Sequence, residues 1–159
     1  MHRNLMLLSA LAVVVAFVLL QCTTTPNPVR ADDKTAAAAT IVPVDVNMHD
    51  FMEGVFQGTY RRLKPAMAAE PTDRQVWKTI RSESLILAEG GNLLLVRKPE
   101  KDVAKWVEFS VAVRESGAQL YKAAKEKDFA GSKKAYELML TQCNACHKHF
   151  DEGKNQLAP

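Results

Sequence analysis

The sequence contains little cysteine, few aromatic residues and no large excess of either charge. Three cysteines among 159 residues are too few for a small protein scaffolded by disulfides. Aromatic residues make up 7% of the chain, so an aliphatic core is expected. Lys and Arg number 21 against 18 Asp and Glu, whereas nucleic-acid binding usually needs a clustered basic excess. We therefore expect one ordinary globular domain with no nucleic-acid partner.

Residues 1–31 show the order of regions found in an export signal. His2 and Arg3 form a short basic start, and the run from Leu5 to Leu20 is almost continuously apolar. At about 1.5 Å per residue, this run is slightly short for a hydrocarbon core of about 30 Å. We therefore predict a signal peptide or membrane anchor at residues 1–31, and a working protein that is periplasmic or otherwise exported.

Two ways of processing this leader are open. Cleavage after Ala31 leaves Asp32 as the first residue. Alternatively, the residues that end in Cys22 resemble a lipoprotein box, in which the cysteine carries a lipid. A membrane is contacted only if the N-terminal segment is retained as an uncleaved anchor or if Cys22 carries a lipid. Residues 32–44, with a run of four alanines and Pro43, are predicted to form a flexible tether.

The remainder of the chain has helical periodicity and no strand periodicity. Apolar residues recur at helical spacing in four stretches separated by proline and charged residues. Three of the stretches begin at predicted cap residues, Asn47, Thr72 and Asp128. Because the links are short, successive helices must run antiparallel. The sequence therefore predicts an all-α domain over residues 45–153, an antiparallel up-down-up-down four-helix bundle, followed by a tail over residues 154–159.

Small residues occupy several inward-facing positions of the second and third stretches. These positions are Ser84, Gly91, Ser110 and Gly117. One interpretation is a close approach of the two helices, or a local break at Gly90 and Gly91. The other is space cleared for a bulky flat ligand. The spacing alone leaves both interpretations open.

The fourth stretch carries the motif C-x-x-C-H, formed by Cys143, Cys146 and His147. This is the attachment signature of c-type haem. On a helix, two cysteines at this spacing lie about one turn apart on the same side, so their sulfurs can bond to the two vinyl groups on one porphyrin edge. The histidine that follows then offers an imidazole nitrogen to the iron. The motif predicts one covalent haem c.

Three other uses of the motif compete with haem attachment: a zinc site, a redox dithiol and a disulfide. Zinc accepts thiolate and imidazole ligands, and Cys143, Cys146, His147 and His149 offer four. Structural zinc sites usually pair one C-x-x-C with a second, distant pair, and the sequence contains no second pair. A redox dithiol needs a helix N-terminus to depress its pKa, whereas this motif lies near the C-terminal end of its helix. A disulfide here would close a loop of only two residues.

The chain resembles the class II cytochromes c, which comprise cytochrome c′ and its low-spin relatives. The resemblance rests on a single C-x-x-C-H near the C-terminus, in the fourth of four helices, with the continuation C-x-x-C-H-x-x-F/Y completed by Phe150. It covers roughly residues 45–153. It implies a four-helix bundle with covalent haem c and His147 as the proximal iron ligand.

The resemblance also implies that the first helix faces the other side of the iron. In low-spin members a methionine of that helix binds the iron, whereas in the gas-binding members an apolar residue leaves it five-coordinate. Here Met48 and Met52 lie one turn apart on the predicted inward face. Met52 is the preferred distal ligand because Met48 falls in the first turn, which frays. Met48 is the alternative, and His49 is a third.

Several other side chains are assigned weaker roles. Phe150 and Tyr136 are expected to pack on the haem, and Trp77 and Trp106 to lie in the core or at a dimer contact and not to relay electrons. Four basic residues are candidates to pair with haem propionates, although a solvated face is the better default for each: Arg61, Arg62, Lys148 and His149.

The function predicted from these features is one-electron transport, and not enzyme catalysis. A His–Met pair keeps the iron six-coordinate in both oxidation states, so little rearrangement accompanies electron transfer. The implied partners are redox proteins and, through the helices, a second copy of the chain. The alternatives are a five-coordinate haem protein that binds or senses NO or CO and, less favoured, a haem-free zinc-binding bundle.

Overall fold

The computed structural model describes residues 41–159, and all regular structure in this range is helical. We label as α1 the unbroken run of α-helical Met48–Phe51, π-helical Met52–Gln57 and α-helical Gly58–Ala66. Helices α2, α3 and α4 follow at Arg74–Leu95, Val103–Glu126 and Phe129–Phe150. The predicted leader, Cys22 and most of the predicted tether lie outside the described residues. Within the described residues, no helix has both the length and the apolar character needed to cross a membrane.

Side-chain caps fix the starts of α1, α2 and α4, and two of these caps were predicted from sequence. The Asn47 side chain accepts from the backbone N–H of His49 at 3.0 Å, and Asp128 accepts from Gly131 at 2.9 Å. The predicted cap of α2, Thr72, is wrong, because the N-cap residue is Asp73. The Asp73 carboxylate accepts from the Gln75 N–H at 2.7 Å, because its extended backbone aims the side chain into the first turn.

Successive helices pack side by side and run antiparallel. Between α1 and α2, the Arg62 guanidinium donates two hydrogen bonds of 2.8 and 2.9 Å to the buried carboxylate of Glu83. The pKa of Arg62 is raised, mainly by its hydrogen bonds to Glu83 and to a smaller extent by the negative charge of Glu83. Between α2 and α3, the Trp106 indole donates to the Leu94 carbonyl at 2.8 Å. The rings of Trp106 on α3 and Phe150 on α4 lie 5.1 Å apart, edge to face.

The small residues of α2 and α3 are explained by close contact between these two helices. A Cβ atom on Gly91 would lie 2.7 Å from the backbone nitrogen of Arg114. A Cβ atom on Gly117 would lie 2.8 Å from the backbone nitrogen of Ala88. Close helix approach is therefore the correct interpretation at these two positions, and α2 continues without a break through Gly90 and Gly91.

This contact gives a stability prediction with a matched control. Gly91→Ala is expected to lower the free energy of unfolding by about 1–3 kcal/mol, because two backbones must move apart. Gly54→Ala should instead raise it by about 0.5–1 kcal/mol, since alanine favours helix and nothing lies within 4 Å of the added methyl group. Urea denaturation followed by circular dichroism measures both. Equal effects of the two changes would contradict the close packing of α2 on α3.

The bundle is not equally tight on all sides. In the described residues, α2 lies against α1 and α3 lies against both α2 and α4. No Cα atom of α1 lies within 8 Å of a Cα atom of α4. These two helices are bridged by side chains of the central core, among them Leu63 of α1 and Tyr136 of α4. The α1–α4 side is therefore the open side of the backbone framework.

Candidate functional site

The C-x-x-C-H motif occupies the last two turns of α4, at the end of the bundle where α1 begins, α2 ends and α3 begins. We call the apolar group found there the Cys146 cluster. Its buried members are Phe51, Leu94, Trp106 and Cys146, and half-buried side chains pack against them: Met48, Met52, Val55, Phe56, Phe109 and Phe150. The antiparallel fold thus brings both candidate methionines and Phe150 into one cluster with a cysteine of the motif.

Cys143 and Tyr136 belong to the neighbouring central core. Cys143 is half-buried and packs against the cluster that contains Leu63, Tyr136 and Met139. Tyr136 is 2% exposed, and its hydroxyl has no hydrogen-bond partner among residues 41–159. Burial, with smaller effects of Tyr60 and Cys143, raises the pKa of Tyr136 to about 12. Tyr136 therefore lies beside Cys143 with an unpaired hydroxyl.

Both thiols of the motif are free and stay protonated near neutral pH. Burial, with a smaller effect of Cys146, raises the pKa of Cys143 to about 12, and burial raises that of Cys146 to about 11. Reactive or metal-binding cysteines normally have their pKa lowered by nearby positive charge or a helix N-terminus. The surroundings of these two thiols are therefore opposite to those of a redox dithiol.

The histidines of the motif region point to different partners. His147 Nδ1 lies 2.9 Å from the backbone carbonyl oxygen of Asn155. A carbonyl only accepts, so in the neutral imidazole this contact places the proton on Nδ1 and leaves the lone pair on Nε2. His149, which the zinc alternative requires, lies instead 3.4 Å from Asp102 and packs on the ring of Phe150. Residues 41–159 contain no group of three or more His, Cys, Asp or Glu side chains placed to hold a metal ion.

Met52 begins the π-helical segment of α1, a feature that was not predicted from sequence. Single π-helical turns are rare and often occur at functional sites, because the extra residue re-aims the side chains around it. Thr59 donates from its hydroxyl to the carbonyl of Val55 at 2.6 Å, which satisfies a carbonyl of this segment. Gly54 and Gly58, which weaken the preference for regular α-helix, are the only sequence signal for it.

Arg97 is a second site residue that was missed by sequence reasoning. Its guanidinium carbon lies 3.8 Å from the ring centroid of Phe51, at the edge of the Cys146 cluster. One guanidinium nitrogen donates to the Leu93 carbonyl at 3.0 Å, whereas the buried Nε has no partner in the described part of the chain. No motif marks Arg97, which follows the end of α2. Arg62, considered from sequence for the propionates, is paired with Glu83 instead.

Both tryptophans are buried in the core, Trp77 at 8% exposure and Trp106 at 5%.

No protein-family model, curated protein or solved structure matches this chain. The resemblance to class II cytochromes c is therefore a prediction that rests on the motif, its position in the fourth helix and its neighbours.

Proposed function

We propose that this chain is an exported cytochrome that carries one electron on a single covalent haem c. Cys143 and Cys146 hold the haem as thioethers, and His147 binds the iron through Nε2. The observation that carries the proposal is the state of the motif on α4. Its two thiols are free, and the contact between His147 Nδ1 and the Asn155 carbonyl leaves Nε2 of the neutral imidazole, the nitrogen that iron would use, with the lone pair.

The thiols suit the attachment reaction. Each S–H adds across one vinyl double bond, so that a sulfur–carbon bond forms and the hydrogen goes to the other vinyl carbon. No electron is gained or lost in this addition. The free thiols of Cys143 and Cys146 would supply this hydrogen.

Other residues fit the edges of such a group. The unpaired Nε–H of Arg97 is a buried cationic donor that suits a haem carboxylate. Leaving a buried donor unpaired costs about 1–3 kcal/mol, so a partner at this position stabilises the fold. The apolar side chains of the Cys146 cluster provide the dry, low-dielectric surroundings that tune a haem iron.

The bound iron supplies a one-electron Fe(III)/Fe(II) couple, and the protein fixes its ligands. His147 would be one protein ligand of the iron. A methionine thioether, Met52 in preference to Met48, would be the other, since both methionines lie in the Cys146 cluster. A His–Met pair raises the reduction potential relative to other axial sets and keeps the coordination constant. No nucleophile–base pair is needed for such a role.

The proposal is tested on the full-length chain, expressed in a host that exports it and attaches haem. The purified protein should stain for haem after denaturing electrophoresis, have the polypeptide mass plus one haem, and show a low-spin spectrum when oxidised and reduced. A colourless protein with the bare polypeptide mass would end the proposal. A haem-bearing protein with a high-spin spectrum and rapid CO binding would replace electron transport with gas binding.

A further inference from the structure

The C-terminal tail, residues 151–159, folds back onto the bundle beside the motif. The N–H groups of Asp151 and Gly153 both donate to the His147 carbonyl, at 2.9 and 3.0 Å. Gly153 has a φ of +77°, in the left-handed region that favours glycine, and this reverses the chain after α4. Leu157 is half-buried against the central core. The sequence predicted a C-terminal tail only over residues 154–159, and the docking of this segment on the bundle was not predicted.

Asn144, the first variable residue of C-x-x-C-H, clamps this tail to α4. Its side-chain amide donates to the Leu157 carbonyl at 2.9 Å, and its side-chain carbonyl accepts from the Leu157 N–H at 2.7 Å. One side chain thus satisfies both backbone groups of a single tail residue. A paired arrangement of this kind fixes position and direction, which a single hydrogen bond does not.

Helix α1 holds the next residue of the tail. The Tyr60 hydroxyl donates to the Ala158 carbonyl at 2.7 Å and lies 3.2 Å from the Ala158 N–H. Lys64 donates to the same carbonyl at 3.1 Å. The tail therefore bridges α1 and α4, whose Cα atoms nowhere approach within 8 Å.

Between these anchors and α4, the tail presents a carbonyl to the proposed iron ligand. Asn155 accepts from His147 Nδ1 at 2.9 Å. Its own conformation is held, since it has a φ of 55° and its side-chain amide donates to Asp151 at 3.0 Å. Asparagine tolerates this left-handed backbone better than most residues. The Asn155 carbonyl is therefore placed by contacts on both sides of it along the tail.

We propose that Asn144 and Tyr60 are positioning residues that act on His147 through the tail. By anchoring Leu157 and Ala158 they hold the Asn155 carbonyl against Nδ1. This keeps the proton on Nδ1 and the lone pair on Nε2, and it makes the imidazole a stronger donor to iron. The effect on the strength of the iron ligand rests on the proposed function. The tautomer of His147 does not, because it is a property of the chain with or without haem.

The test compares Asn144→Ala and Tyr60→Phe with Gln142→Ala, a control on the same helix whose side chain makes no contact used here. Nitrogen-15 NMR of the His147 ring at about pH 8.5 reports which nitrogen carries the proton. Loss of the clamp should make the Nδ1 proton exchange about five- to tenfold faster, the equivalent of one net hydrogen bond. In the haem-bearing protein both variants should raise the midpoint potential, because a weaker imidazole donor stabilises Fe(III) less. Gln142→Ala should change neither.

If the tail only adds stability, Asn144→Ala and Tyr60→Phe would lower the melting temperature but leave the Nδ1 proton exchange and the midpoint potential unchanged. That result would overturn the proposal. Asn144→Gln keeps a donor and an acceptor, and should restore part of the slow exchange. If Asn144→Ala does not fold, Tyr60→Phe provides the same comparison with a single oxygen removed. A wild-type chain without haem would refute the proposed function, yet its His147 tautomer would still test the inference. Wild-type His147 protonated on Nε2 would refute the inference whether or not haem is bound.

Discussion

A chain in which Cys143 and Cys146 are both changed to alanine is expected to contain no covalent haem. The two thiols are the proposed attachment points, and both are free. Each single change should leave one thioether, so the haem stays on the chain through one bond. Alanine avoids placing an unpaired hydroxyl at Cys146, which is 8% exposed, and it favours the helix. Haem staining after denaturation, with the intact mass, measures the result.

Cys22, the only other cysteine in the sequence, offers the matched control. Cys22→Ala removes a thiol from the predicted leader region, which lies outside the described residues. Its haem content per folded chain should equal that of the wild type. Haem that survives denaturation of the double variant would show that attachment does not use the motif. The mass of Cys22→Ala also tests whether Cys22 carries a lipid.

The arrangement of the four helices could be predicted because its signals are local. Asn47 and Asp128 cap their helices through hydrogen bonds to N–H groups two or three residues away. Short links then leave antiparallel packing as the only compact solution. The misassigned cap of α2 shows the limit of this reasoning. Thr72 and Asp73 both suit an N-cap, and backbone angles that sequence does not reveal decide for Asp73.

Two of the three parts of the site that were not predicted depend on contacts between distant residues. Arg97 gains its position from stacking on Phe51, 46 positions earlier in the chain. The tail docks because Tyr60, on α1, meets Ala158. The π-helical turn at Met52 replaces a regular α-helical register, which hydrophobic spacing alone cannot distinguish from a π-helical one. Periodicity and capping report local preference, so they miss the long-range contacts of Arg97 and of the tail, and they do not resolve the register of the π-helical turn.

Met52→Ala is expected to convert the haem from a low-spin to a high-spin form and to open it to CO. Removal of the thioether leaves the sixth position without a protein ligand and lowers the midpoint potential, since a His–Met pair raises it. Met48→Ala should leave the spectrum low-spin. Visible spectra in both oxidation states, CO binding and redox titration measure the effects.

The two methionine variants are matched controls for each other. Both side chains are half-buried in the Cys146 cluster, and both changes remove the same atoms, so the loss of packing is similar. The difference between them therefore isolates iron ligation from stability. Met48 lies in the first turn of α1, where helices fray, whereas Met52 begins the π-helical turn one turn deeper. A spectrum altered only by Met48→Ala would move the ligand to Met48. Spectra unchanged by either substitution would contradict a methionine ligand from α1.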